Sequence, residues 1–501
     1  MAVMQATGTT DHHAEFSFVA GTEPRSDLLI DGQWRSTGEV IEVRDPATDS
    51  VIGTVADGSP AEGIAALDAA AASQSAWAAV SDFERSRLFR DAEVRLLAAR
   101  DNIARAIVLE SGKPLAQANA EIDSAIQYWT WYGGQIGQHH GTYAPSSDGS
   151  FTVITSRKPI GPSLLISPWN FPALTPLRKM AAALAAGCTI IVKSAALTPL
   201  TSALLVDAVD GAGFPHGVIN LIHTSDSSGL SRALMADERL RKVSFTGSTE
   251  VGRALIAQSA HNIISTSMEL GGNGAFIVLD DADLEFAVEQ AIGSKFRNSG
   301  QVCVAANRFI VQRSVADEFD ERFVERVKQL QMGHGLEPET DLGPVINRRE
   351  RERLIDSVAR SRASGSKLLV GGEVAEGPGS FMRATALQAA DLDDPLAHEE
   401  IFGPVAVTYR VDTAADAVAF ANDTPFGLAA FVFTTDVARG LAVAGALESG
   451  VVGLNRVGVT DPASPFGGVK SSGLGREGGQ ESILEFTEEQ YIAFASTTSV
   501  D

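Results

Sequence analysis

Residues 164–246 alternate short apolar runs with helical stretches at a spacing of about 25 residues, a βαβ rhythm. That rhythm restricts the chain to a mainly parallel sheet with helices on its faces. Leu164–Ser167, Thr189–Val192, Val218–Ile222 and Val243–Phe245 read as strands, with Pro172–Ala186 and Pro199–Gly211 as helices between them. The polar motifs fall just after strand carboxyl ends: Trp169-Asn170, Lys193-Ser194 and Thr246-Gly247-Ser248. Open α/β sheets bind ligands at that edge. The run from Gly247 to Gly252 opens a helix directly after a strand, where free N–H groups and the helix dipole suit a phosphate. A full G-x-G-x-x-G occurs only at Gly473–Gly478, with no strand–helix unit after it, and reads as a chance match.

After Gly272 the rhythm restarts. Ala275–Leu279, Arg308–Val311, Val405–Val411, Ala430–Thr434 and Val451–Asn455 read as strands, separated by helices such as Ala282–Phe296 and Val315–Met332. A chain of 501 residues is too long for one core. The pattern divides it into a ligand-edge domain (1–145 and 161–269) and a second α/β domain (270–470). Ser147–Lys158 and Tyr491–Ser499 are extended and rich in Thr and Ser. They read as strands outside both cores, a subunit-bridging flap drawn from 146–160 and 480–501.

Forty Lys and Arg stand against 63 Asp and Glu, a net charge of −23. That argues against nucleic-acid or anionic-membrane partners, and an anionic substrate would need a local cationic pocket. Two cysteines cannot form a disulfide framework, so a reducing compartment, the cytoplasm, is expected. Met1–Gly21 lacks the basic and apolar regions of a signal peptide and reads as a flexible tail. No apolar run is long enough to span a membrane. The pairs His12-His13 and His139-His140 lack metal-ligand spacing, so no metal site is expected.

Cys303 lies in the polar, Gly-containing run Arg297-Asn298-Ser299-Gly300-Gln301-Val302-Cys303, an unusual place for a structural thiol. It is the candidate nucleophile, needing a lowered pKa or a base to react with an aldehyde carbon at neutral pH. Cys188, in Ala-Ala-Gly-Cys-Thr-Ile-Ile, reads as a small core residue. Asn170, stiffened by Trp169, Phe171 and two prolines, is the candidate oxyanion donor, although Asn also forms ordinary turns. Glu269, flanked by Met268 and Leu270, is the candidate general base, a desolvated carboxylate rather than a solvated loop residue.

Together these residues resemble the NAD(P)-dependent aldehyde dehydrogenase superfamily from about Leu29 to about Phe494. The resemblance rests on Glu110-Ser111-Gly112-Lys113-Pro114, Pro168-Trp169-Asn170-Phe171-Pro172, Phe245-Thr246-Gly247-Ser248, Glu269-Leu270-Gly271-Gly272, Gly300-Gln301-Val302-Cys303, Glu399-Glu400-Ile401-Phe402-Gly403-Pro404 and Pro465-Phe466-Gly467-Gly468. It implies an α/β fold with a Rossmann-like cofactor domain, a catalytic domain and a small β oligomerisation flap, hence a homodimer or homotetramer. It implies that Ser167, Trp169, Lys193, Ala196, Gly247, Ser248, Glu400 and Phe402 form the cofactor site. Lys193 would meet the adenosine ribose, Ser248 the pyrophosphate, and Glu400 with Phe402 the nicotinamide end. Cys303, Asn170 and Glu269 would be nucleophile, oxyanion donor and base, and the presence of Glu269 favours hydrolysis over acyl transfer to coenzyme A.

Ser294-Lys295-Phe296-Arg297-Asn298 is most similar to succinate-semialdehyde dehydrogenases. That likeness implies that Arg178, Arg297 and Thr460 hold a distal carboxylate, with Thr460 replacing the usual serine. Guanidinium forks suit a carboxylate, although Leu-Arg-Lys-Met alone would place Arg178 on a solvated helix. Arg456, where relatives carry a small polar residue, is expected to add a cation near the pocket. Ala305 stands where some relatives have a second cysteine, so their redox switch is not expected. Ala196 replaces a glutamate common in NAD-preferring relatives, which predicts acceptance of NADP. Succinate semialdehyde is the leading substrate, with glutarate semialdehyde, 2-oxoglutarate semialdehyde and sulfolactaldehyde as rivals. A cofactor-independent thiol esterase is the reading from another class, and the intact Cys303, Glu269 and Asn170 set disfavours a catalytically dead relative.

Overall fold

The computed structural model describes residues 18, 19 and 21–495. Met1–Ser17, including His12-His13, and 496–499 of the expected flap strand lie outside the described residues. The larger sheet has eight strands, in the order Gly473–Leu474, Ser265–Glu269, Lys242–Thr246, Ser163–Ile166, Ile190–Lys193, Ile219–Ile222, Leu28–Ile30 and Gln33–Arg35. Its five inner strands from Ser265–Glu269 to Ile219–Ile222 run parallel. Ser163–Ile166, Ile190–Lys193 and Ile219–Ile222 are buried along their whole length, which is why they read as nearly unbroken apolar runs. Cys188 lies two residues before Ile190–Lys193, fully buried, and its thiol donates to Phe486 O at 3.3 Å.

The second sheet has seven strands: Lys367–Val370, Thr385–Gln388, Val405–Val411, Ala306–Gln312, Gly274–Val278, Ala429–Phe433 and Val451–Leu454. All neighbours are parallel except the first pair. Phe276 anchors the core on one face, stacked on Phe433 at 4.4 Å and packed against Phe309 at 5.1 Å. Only Leu270-Gly271-Gly272-Asn273 separates the end of Ser265–Glu269 from the start of Gly274–Val278. This short strap carries the chain from one sheet to the other, and the candidate base is its first anchor.

Two boundaries differ from expectation. The three-stranded flap sheet comprises Tyr143–Pro145, Thr152–Pro159 and Thr487–Phe494, so it begins at Tyr143 and regains the chain at Thr487. The glycine run at 473–478 is followed by no strand–helix unit of the dinucleotide-binding kind, but its first residues have a structural role. Gly473–Leu474 pairs antiparallel with Met268 and Glu269 at the edge of the large sheet, bringing the C-terminal segment beside the candidate base. Among the described residues no helix is long and apolar enough to cross a membrane, and no group of three or more His, Cys, Asp or Glu could hold a metal ion.

Candidate active site

The Cys303 loop is held in an uncommon shape. Asn298, Ser299 and Gly300 all have positive φ (51°, 53° and 73°). A side chain at 300 would put its Cβ 2.1 Å from Gly403 O, so only glycine fits. Side chains fix the rest of the loop. Asn298 N donates to Gln117 Oε1 (2.7 Å), Ser299 Oγ to Gly343 O (2.8 Å), and Ile346 N to Gln301 Oε1 (2.8 Å). A Cβ at Gly272 would lie 2.5 Å from Cys303 O, so the strap passes directly against the nucleophile's backbone.

Asn170 is buried, and its Nδ2 donates to Gln301 O at 2.8 Å, which points the amide into this loop. One amide hydrogen is thereby used and the second has no partner among the described residues. Beyond it, every residue of the helix Leu174–Ala186 from Thr175 onward is buried, Arg178 and Lys179 included. A buried cation needs a counter-charge, and Glu477 supplies it to both. The Arg178 guanidinium also lies over the rings of Tyr128 (5.4 Å) and Phe466 (5.1 Å). The solvated-helix alternative for Arg178 therefore does not hold.

Neither oxygen of Glu269 has a hydrogen-bond partner, and the side chain is buried. Burial first, then the like charge of Glu477, pushes its carboxyl well above the usual range, while Arg178 and Lys179 pull the other way. Burial, with Glu269 and Glu400 adding to it, pushes the Cys303 thiol up to about 12. Without a ligand the sulfur is therefore protonated at neutral pH, and burial holds Glu269 poorly ionised beside it. Burial also raises Glu400 to about 7, although Gly272 N donates to it at 3.0 Å.

At the strand edge, Ser167 Oγ and Thr246 Oγ1 are buried without partners. Lys193 is buried and forms no salt bridge among the described residues, and burial draws its ammonium down to about 8. Ala196 is partly buried three residues on. Gly247 N donates to Glu269 O at 3.0 Å, and Ser248 caps the helix Thr249–Ser259, accepting from Val251 N at 3.4 Å. Trp169 meets Phe402 edge-on at 5.5 Å, and Phe402 has a φ of 50°. An unpaired cation, orphaned hydroxyls and a helix start are the donors a dinucleotide requires, so these residues fit the expected cofactor.

One cavity of about 730 Å³ joins the two ends. Its lining includes Cys303, Glu269 and Asn170, the cofactor-side residues Trp169, Gly247, Ser248, Glu400 and Phe402, and Arg178, Arg297 and Thr460. Ser167, Lys193 and Ala196 lie on the same sheet edge but outside this lining. Arg297 is exposed at the cavity, forms no ion pair among the described residues and lies 5.8 Å from the Phe171 ring. Arg456 is exposed and is not itself in the lining, but its guanidinium lies 3.5 Å from where a Cβ at the lining residue Gly458 would stand. Asn455 before it has a φ of 52° and clamps Thr434 through both ends of its amide (3.1 and 2.9 Å). Val457, Val459 and Thr460 line the cavity.

The profile of the aldehyde dehydrogenase family matches residues 34–492. The chain belongs to the aldehyde dehydrogenase family. Among curated relatives, this aldehyde dehydrogenase is 42% identical to a succinate-semialdehyde dehydrogenase of Paenarthrobacter nicotinovorans over 445 residues, 89% of this chain and 99% of the relative. It is 40% identical to a glutarate-semialdehyde dehydrogenase of Pseudomonas putida over 473 residues, 94% of this chain and 98% of the relative. The crystal structure of an E. coli NADP dependent enzyme superposes with a TM-score of 0.93 at 39% identity, covering 94% of this chain and 98% of the other. Among the charged residues around this dehydrogenase's site, Glu477, Lys179, Lys113 and Glu121 had no role that the sequence revealed. Glu477 hid in the dismissed glycine run, and Lys113 was visible only within Glu110-Ser111-Gly112-Lys113-Pro114. A buried Arg-Lys pair demands an anion, but only the fold reveals which one.

Proposed function

We propose that this aldehyde dehydrogenase oxidises a short anionic aldehyde, succinate semialdehyde first, to the carboxylic acid with NAD(P)+. One observation carries the reading: a single cavity is lined by a thiol, an unpartnered carboxylate, an amide and two arginines. Glu269, with both oxygens free of partners, takes the thiol proton, and Cys303 Sγ bonds to the aldehyde carbon. The spare Nδ2 hydrogen of Asn170 and the Cys303 N–H hold the developing oxyanion, an arrangement worth a few kcal/mol in such sites. When bound, the oxidised nicotinamide supplies the acceptor for the hydride that leaves the thiohemiacetal carbon. Once that first proton has passed from Glu269 to solvent, the carboxylate draws a proton from water, whose oxygen attacks the Cys303 thioester, and the same proton later returns to the sulfur. The C–S bond breaks, the acid departs and the thiol is restored.

Arg297, with Arg178 and Thr460, receives the distal anion. Arg178 already carries Glu477, so Arg297 is the cation without an ion-pair partner, and glutarate semialdehyde, 2-oxoglutarate semialdehyde and sulfolactaldehyde remain rivals at this end. Lys193, Ser167, Ser248, Glu400 and Phe402 hold the dinucleotide. With alanine at 196 no carboxylate opposes a 2′-phosphate, so NADP is accepted. In this reading the eight-stranded sheet is the cofactor domain and the seven-stranded sheet the catalytic domain. The flap, whose Tyr491, Ile492 and Phe494 are about half exposed, joins a second copy into a homodimer or homotetramer. Two free thiols suit a reducing compartment, the cytoplasm. The test is absorbance growth at 340 nm with succinate semialdehyde and cofactor. Wild type turns over and Cys303→Ala does not while still binding cofactor; turnover by the variant near the wild-type rate would exclude Cys303 as nucleophile. Ester turnover without cofactor at rates above the oxidation rate would favour the thiol esterase.

A further inference from the structure

Lys113 and Glu121 are buried, paired and unused by the chemistry above. Their side chains are each 1% exposed. Desolvating two charges often costs more than their attraction returns, so the pair is a poor device for stability alone. Each partner has a second contact. Lys113 Nζ donates to the backbone oxygen of Asn170 at 2.8 Å and lies 4.4 Å from the centre of the Phe171 ring. Glu121 Oε1 accepts from Ala173 N (2.8 Å) and Leu174 N (3.2 Å). These are orphan donors at the start of the helix Leu174–Ala186, which has no side-chain cap of its own. The pair therefore grips both ends of the turn Asn170-Phe171-Pro172-Ala173. Asn298 Nδ2 donates to the same Asn170 oxygen at 3.0 Å, so both of its lone pairs are engaged and the peptide plane is fixed.

We propose that Lys113 and Glu121 are positioning residues for the oxyanion donor: they hold the Asn170 peptide so that the spare hydrogen of its side-chain amide stays aimed at the aldehyde oxygen. This rests on the reading of Asn170 as that donor. Arg297 feels both charges, with opposite signs, so removing them together leaves the distal-anion end largely balanced and the effect falls on the carbonyl end shared by all aldehydes, through Asn170.

The test is a double-mutant cycle between Asn170→Ala and the paired exchange K113M/E121Q, which removes both charges and leaves an acceptor at 121. The readouts are the first-turnover burst of reduced cofactor with succinate semialdehyde and with propanal, the cofactor Kd and Tm. N170A is expected to slow the burst on the order of 100-fold. K113M/E121Q is expected to slow it about tenfold, equally for both aldehydes, because a displaced donor loses its aim. The cofactor Kd stays within about twofold, and in the N170A background the paired exchange has no further effect. A wild-type burst in K113M/E121Q, a loss confined to succinate semialdehyde, or the same tenfold loss added on top of N170A overturns the positioning role and leaves Asn170 in place. A wild-type burst in N170A overturns the oxyanion reading itself. Should the paired variant fail to yield folded protein, E121Q enters the same cycle with propanal, which carries no distal anion, and a wild-type burst or a loss added in full to that of N170A overturns the positioning role.

Discussion

Arg178 and Glu477 form an ion pair inside the protein, each side chain 6% exposed, against the cavity that holds Glu269. Burial alone would raise the Glu477 carboxyl, but Arg178 and Lys179 outweigh it and hold it below its usual range. Glu477 thus stays charged, and that charge opposes ionisation of Glu269. The pair neutralises Arg178 and keeps Glu269, the proposed base, poorly ionised.

Glu477→Gln leaves Arg178 and Lys179 without their anion. Removing one partner of a buried pair costs about 3–5 kcal/mol, so calorimetry should show a clear drop in Tm. Glu269 loses a like charge and its pKa falls. Since only its carboxylate form acts as base, the acid limb of hydrolysis-limited kcat should move to lower pH. A limb that stays put or moves up contradicts the coupling.

Glu400 makes the opposite contribution to stability. Its folded pKa is raised to about 7 from 4.5, so below 4.5 both states are protonated and nothing is lost. As pH rises from 4.5 to 7 the folded state resists an ionisation that the unfolded state accepts, and stability falls. Glu400→Gln removes that penalty while keeping an acceptor for Gly272 N. The Tm of the variant should match wild type near pH 4 and exceed it progressively up to pH 7, worth about 3 kcal/mol at most. A gap that is constant with pH would contradict the raised pKa.

With its thiol raised to about 12, Cys303 of the ligand-free enzyme should react slowly with iodoacetamide at pH 7 and faster as pH rises toward 10. Mass spectrometry should locate the label on Cys303. Cys188, pushed up to about 11 by burial and fully enclosed, should stay unlabelled. Rapid alkylation of Cys303 at pH 7, without ligand, would contradict the desolvated thiol.

Ala196→Glu places a carboxylate where the 2′-phosphate is expected. Unfavourable like-charge contact costs several kcal/mol, so kcat/KM with NADP should fall at least tenfold while that with NAD holds or rises. Equal loss with both cofactors would remove position 196 from the specificity argument.

Much of this was legible in the chain. The βαβ rhythm placed the inner strands and put Asn170, Lys193 and Ser248 on one edge, because periodicity and strand ends are local properties. The partners of buried charges are not local. Lys179 and Glu477 are 298 residues apart, and a glutamate among glycines gives no sign of what it faces. The same limit hid Glu121, which caps a helix 52 residues downstream. The left-handed Asn455 that sets the course of the chain into Arg456 was not legible either, because positive φ at asparagine cannot be read from neighbouring residue types.

The most direct test of an anion-selective, Cys303-based oxidation is the ratio of kcat/KM for succinate semialdehyde to that for butanal, in wild type and in Arg297→Ala. A hydrogen bond to a charged group is worth about 1.5–3 kcal/mol, so the ratio should fall at least about tenfold, with butanal oxidation nearly unchanged. A wild-type enzyme that prefers butanal, or a variant that loses both substrates equally, would contradict the account.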